Sequence, residues 1–207
     1  AGRMVEGISS RPTQDTGPDR RDALVNVTIY LEGGGDSKEL HTRCRESFRK
    51  LLERCAFGET MPRLVACGSR SRAYKDFCKA HRNAGSGVVL MLIDSEDPLP
   101  DIETPWAHLK VRDGWEKPED ASSEQVLMMT TCMETWIVAD RAALRTDFGQ
   151  NLQESGLPAL VNLESRLRDA VQGTLVYATR NCANQCRKGK RSFQILAELT
   201  PDTLSAF

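Results

Sequence analysis

Apolar positions along the chain switch between the period of a strand and the period of a helix. "ALVNVTIYLE", from Ala23, is a β-rich run that leads into three glycines, Gly33 to Gly35. From Asp36 to about Phe57, Leu40, Cys44, Phe48, Leu51, Leu52 and Cys55 recur near helical spacing. "PRLVACG" (62–68) reads as a second short strand, and "SRSRAYKDFCKAHRN" as a second helix with Ser69 or Ser71 as its N-cap. "GVVLMLID" (87–94) is almost wholly apolar, as a strand covered on both faces should be. The order β-α-β-α-β predicts a parallel α/β sheet, in which ligands sit at the carboxyl ends of the strands.

The pattern then weakens. Residues 95–124 are Pro-rich, hold two of the three Trp residues and read as one long irregular stretch, of the kind that is usually functional or mobile. "QVLMMTTCMETWIVADRAAL" (125–144) divides into a fourth strand at about 126–132 and a helix opening near Glu134, with a single continuous helix as the alternative. The remainder, 145–207, reads as helices and loops. Residues 1–22 are polar, carry Pro, Gly and Ser, and show no periodicity, which predicts a disordered arm. The expected organisation is therefore an arm over 1–22, an α/β domain of about four parallel strands over 23–144, and a helical C-terminal extension over 145–207 packed on the core.

Composition narrows the function classes. The chain of 207 residues carries 28 Lys and Arg against 29 Asp and Glu, a formal charge of −1, so no global basic field advertises nucleic acid and any such binding needs a local patch. No apolar run approaches the ~18 residues that a membrane span needs, and the first residues lack the apolar core of a secretory signal. Four of the seven cysteines (Cys44, Cys55, Cys67, Cys78) are spaced by eleven or twelve, and Cys182 and Cys186 form C-x-x-x-C, which is not a usual zinc spacing. Reduced, mostly buried thiols of a cytoplasmic protein are the expectation.

The chemistry lies in acids at strand ends. Glu32 closes the first strand on a glycine hinge, and Asp94 closes the third, followed by Glu96 and Asp97 in "LIDSED". On an extended backbone Asp94 and Glu96 point the same way. If the two strands are neighbours, three carboxylates meet at one sheet edge and repel each other, a penalty that a divalent cation removes. Oxygen-only ligands suit Mg²⁺ or Mn²⁺. The plain alternative is that each acid caps or solvates a loop.

A strand ending in "LEGGGD", then helix, strand, helix and a strand ending in D-x-E, resembles the TOPRIM domain of topoisomerases, bacterial primases, RecR-type proteins and overcoming-lysogenization-defect nucleases, over about residues 25–135. "PRLVACGSRSRAYKDFC", "LIDSEDP", "PWAHLKVRDGW" and "MMTTCMETWIVADRAAL" look like one TOPRIM-like bacterial family, often encoded beside an SMC- or ABC-type ATPase in operons that resemble phage defence. The resemblance implies a TOPRIM-like, Rossmann-like fold. It implies that Glu32 acts as acid/base or metal ligand and that Asp94 and Glu96 hold Mg²⁺, although many members have D-x-D where this chain has D-x-E. It offers Glu134, in "METWIVAD", as a further metal ligand, against the reading of a helix-start acid favoured by the dipole. Asp36 is either another ligand or the first helix's N-cap. Asp140 falls away from Glu134's face.

Two basic clusters complete the expectation. Arg70, Arg72 and Lys75 open the second helix at the carboxyl edge, and helix N-termini bind phosphate. "RKGKR" (187–191) supplies Lys188 and Lys190, either of which could contact nucleic acid, with Lys190 stabilising a developing phosphate charge. Both clusters also read as solvated surface. His108 reads as structural, and Trp106 and Trp115 as loop anchors or base-stacking platforms. No tyrosine sits in a recognisable second catalytic domain, so a topoisomerase is not expected, and the chain is too small for a primase's accessory domains. A phosphatase using the D-x-E is disfavoured because the motif is on the third strand. Two functions remain. One is a Mg²⁺-dependent nuclease acting on DNA or RNA, the effector of an ATPase-coupled defence system. The other is a non-catalytic subunit that docks on an ATPase. The sequence leaves an oligomer open.

Overall fold

The structure, a computed structural model, describes residues 26–55, 57, 60–186 and 189–204. The polar arm expected over 1–22, and Lys188, lie outside the described residues.

Strand β1 (Val27–Gly34) is β-branched at Val27, Thr28 and Ile29, and it hands over to helix α1 (Lys38–Arg54) through the glycines. The helix starts where the Ser37 hydroxyl accepts the N–H of Leu40, so Asp36 is not the cap; it is an exposed residue one step earlier. Cys44, Ser47, Phe48 and Leu51 form the buried stripe of α1 at helical spacing. Strand β2 (Arg63–Gly68) leads into α2 (Arg70–His81), capped by Ser69 rather than Ser71. Strand β3 (Val88–Asp94) follows.

The stretch expected to be irregular contains a helix, α3 (Pro105–Asp113). Its proline stands at the start, where a missing N–H costs nothing, and Gly114 ends it in a left-handed conformation. Strand β4 (Val126–Met129) is shorter than expected, and α4 (Met133–Ala139) opens one residue before Glu134, so 125–144 is not one helix. Asp140 breaks the chain there. Its carboxylate accepts the N–H of Ala143, which starts α5 (Arg141–Phe148), and the N–H of Thr200. Helices α6 (Arg168–Ala178), α7 (Lys190–Leu196) and α8 (Pro201–Leu204) complete the order.

The four strands are all parallel, in the order β2-β1-β3-β4. Each sheet face has its own apolar cluster. Ile29, Leu31, Ala66, Leu92 and Met129 pack with Cys44 and Phe48 of α1 and with Ile137, Leu144, Leu175 and Phe193 of the later helices. Cys67, Val89, Met91, Ile93 and Val126 pack with Ala73 and Phe77 of α2 and with Trp106 and Leu109 of α3. The result is a three-layer α/β/α arrangement with helices at the C-terminal end of the chain, and the 145–207 segment shares a core with β1. The seven cysteines are free, five of them buried. Burial pushes the Cys44, Cys67, Cys132 and Cys186 thiols up to about 12, so they stay protonated. Among the described residues no helix is long and apolar enough to cross a membrane.

Candidate functional site

Strands β1 and β3 are neighbours, with Leu31 opposite Leu92, so their carboxyl ends lie side by side. Glu32 is held by the Asp94 backbone, whose N–H donates to Glu32 Oε2 over 3.2 Å. Asp94 Oδ1 in turn accepts the N–H of Met133, at the start of α4, over 2.9 Å. One carboxylate oxygen from each of Glu32, Asp94 and Glu96 falls within 4.8 Å of the others. The convergence arises differently from the expectation. The strand stops at Asp94, and Glu96 takes a left-handed φ of 70° while its N–H donates to the Thr131 carbonyl over 2.8 Å. A turn, not the strand pleat, brings Glu96 back onto Asp94.

Burial, then the charges of Glu32 and Glu134, push the Asp94 carboxyl up to about 7, against the opposing pull of the Met133 N–H and Arg168. Glu134 is itself 5 % exposed, and its two oxygens accept from Gln172 Nε2 (3.0 Å) and Ser192 Oγ (3.1 Å). It stands in the first turn of α4 rather than at the end of β4, and it lines the same cleft as Glu32 and Asp94. It is not among the three acids whose oxygens meet. Asp97 turns to Arg112 (2.9 Å), and Asp140 is occupied with its caps.

Arginines surround the acids. Arg70, the first residue of α2, places Nη1 3.6 Å from Glu32 Oε2 and also donates to the Asp94 carbonyl. Its Nε and Nη2 bind Asp113 at 3.1 and 2.8 Å, and its guanidinium lies 5.1 Å over the Trp115 ring, which stacks on Tyr74. Burial alone would raise the Asp113 carboxyl, but Arg70 and then Arg112 outweigh it and hold it below the usual range. Arg168, at the start of α6, is ion-paired with Glu96. Sequence reasoning missed Arg168, Gln172 and Ser192, and nothing in their local pattern marks them.

The basic residues expected at nucleic acid are placed unequally. Arg70 is 11 % exposed and committed to the acids, so it holds the site rather than reaching outward. Arg72 is exposed and paired with Asp76, and Lys75 is exposed on α2. Lys190 is exposed at the start of α7 near Glu39, while its neighbours Gly189 and Phe193 line the cleft. His108 Nε2–H donates to the Ser95 carbonyl as a structural partner (2.8 Å), and Trp106 is buried with its N–H on the Ser122 carbonyl. Neither offers a free surface to a base.

The cleft has a volume of about 290 Å³, with acids on one side and Met129, Met133 and Phe193 on another. Two of the glycines that line it, Gly34 and Gly68, leave no room for a side chain. Gly68 has φ +82°, and a Cβ there would lie 2.3 Å from the Gly35 carbonyl oxygen; at Gly34 (φ +93°) it would lie 2.5 Å from the His41 ring. Gly68→Ala is expected to lower stability by at least about 2 kcal/mol, the left-handed penalty plus a clash with backbone that cannot swing away, as read by denaturant unfolding. An unchanged midpoint would contradict this close approach.

The donor set is oxygen only, and a hard divalent cation would offset both the burial of Asp94 and the repulsion from Glu32 and Glu134 that raise its carboxyl, so the residues fit Mg²⁺ or Mn²⁺. No curated protein and no solved structure matches the chain. Residues 31–206 match the model of the family described as a domain of unknown function (DUF4276), a span that carries every residue of this site, and the chain belongs to that family.

Proposed function

We propose that the protein is a Mg²⁺- or Mn²⁺-dependent nuclease of TOPRIM type that cleaves phosphodiester bonds in DNA or RNA. The observation that carries this reading is the meeting of Glu32, Asp94 and Glu96 within 4.8 Å at the carboxyl ends of adjacent parallel strands. These three would hold the cation, which when bound supplies charge neutralisation and an activated water. Glu32, accepting from the Asp94 N–H and facing Arg70, is the group placed to take a proton from an attacking water. The Met133 N–H fixes Asp94, and Gln172 and Ser192 fix Glu134 beside it. The role of effector beside an SMC- or ABC-type ATPase in phage defence rests on the family resemblance, and a cytoplasmic location on the unpaired cysteines.

A second reading has its own support. Arg70, Arg112 and Arg168 already face the acids, so the cluster is charge-compensated by the chain itself, as it would be in a non-catalytic subunit docked on an ATPase. Incubating purified protein with a plasmid and a tRNA pool, in Mg²⁺, Mn²⁺ or EDTA, separates the two. Cleavage that EDTA stops and that Asp94→Ala lowers by at least about 100-fold is expected. Intact plasmid and tRNA in every divalent ion, with the ATPase also present, would favour the docking subunit.

A further inference from the structure

Arg112 and Arg168 both face Glu96 Oε2, but they stand differently toward the cleft. Arg112 lies 3.7 Å from that oxygen and is also paired with Asp97 (2.9 Å) and Asp113 (3.0 Å), so it keeps two acids if Glu96 turns away. Arg168 lines the cleft beside Glu32 and Asp94, and its side chain is 20 % exposed. Among the described residues it makes no second ion pair.

Arg168 and a cation compete for the negative charge of the Glu96 carboxylate. Once a cation draws Glu96, the Arg168 guanidinium loses its ion-pair partner and keeps only the weaker pull of Asp94, beyond ion-pair distance, inside a half-enclosed cleft. An unpaired charge there is costly, and a planar fork of donors matches two oxygens of a phosphate. We propose that the Arg168–Glu96 pair is an exchange latch: a divalent cation takes Glu96, a phosphodiester takes Arg168, and the two bind cooperatively. The proposal rests on the metal-nuclease reading and adds a coupling to it. Binding linkage is reciprocal, so the diester must tighten the cation by the same factor as the cation tightens the diester.

The coupling is read as Mn²⁺ binding to the full chain by electron paramagnetic resonance, with and without a phosphorothioate-linked thymidine dinucleotide. In the wild type the dinucleotide is expected to tighten Mn²⁺ by at least about tenfold. Arg168→Gln should bind Mn²⁺ alone more tightly, because the competitor for Glu96 is gone, and the dinucleotide should no longer change it. Arg112→Gln removes one charge from the same carboxylate and should keep the coupling. Arg168→Lys keeps the charge without the fork and should lose most of it, which covers the case of Arg168→Gln failing to fold. Full coupling in either Arg168 variant, or Mn²⁺ binding that needs Asp94 yet ignores the dinucleotide, overturns the latch and leaves the metal reading standing. Mn²⁺ binding that Asp94→Asn does not weaken overturns both.

Discussion

Glu32→Gln should lower divalent-dependent cleavage on the order of 10³-fold at saturating metal, the scale of a lost general acid/base. The fold should survive the change. The amide oxygen can still accept the Asp94 N–H that Glu32 accepts at 3.2 Å, and Arg70 keeps Asp113 at 2.8 Å after losing the Glu32 charge. Thermal unfolding within a few degrees of the wild type, together with the collapse in rate, is the expected pair of results. Under the docking reading the same variant is harmless: whatever function the complex has would persist. The measurement is initial rate across a Mn²⁺ titration, which separates weaker metal binding from a slower chemical step.

Asp94→Asn should raise stability, where Glu32→Gln leaves it nearly unchanged. The folded protein keeps the Asp94 proton up to about pH 7, whereas the ordinary value, near which an unfolded chain releases it, is 3.8. Between those values the native state binds more protons than the unfolded state, so this group's contribution falls as pH rises, and above 7 its whole penalty is present. An asparagine has no charge to bury and can still accept the Met133 N–H. In EDTA at pH 8 the variant is therefore expected to exceed the wild type by on the order of 2–4 kcal/mol, at about 1.4 kcal/mol per pH unit, with the two converging toward pH 4. Mn²⁺ should reverse the order, because it stabilises only a chain that binds it. A variant less stable than the wild type at pH 8 in EDTA would show that the Asp94 charge is not strained.

The parts of the fold that were legible were those with a strong local period. The unbroken apolar run of β3 and the Cys44–Phe48–Leu51 stripe of α1 announce a covered strand and a one-faced helix. Helix α3 was hidden because its nine residues present little contrast between faces, with Val111 90 % exposed, and because Pro105 reads as a loop residue unless taken as a helix start. At the site, Glu32 and Asp94 were readable because strand ends of a parallel sheet converge by topology alone. Arg168, Gln172 and Ser192 were not, since their approach depends on how the last helices pack across the sheet edge. Arg70 looked like an outward cation for a different reason: its partner Asp113 belongs to α3, the helix that the sequence concealed.

The site draws on both helical layers and on both ends of the chain order, and this has a consequence during synthesis. When the ribosome has released the chain only as far as α5, Glu32, Asp94 and Glu96 have all been made, but Arg168 and the two partners of Glu134 have not. The acids are then without the cation that α6 brings and without the wall that Phe193 supplies. A nascent chain thus has the three acids well before the enclosure around them, and the cleft closes only after α7 has emerged.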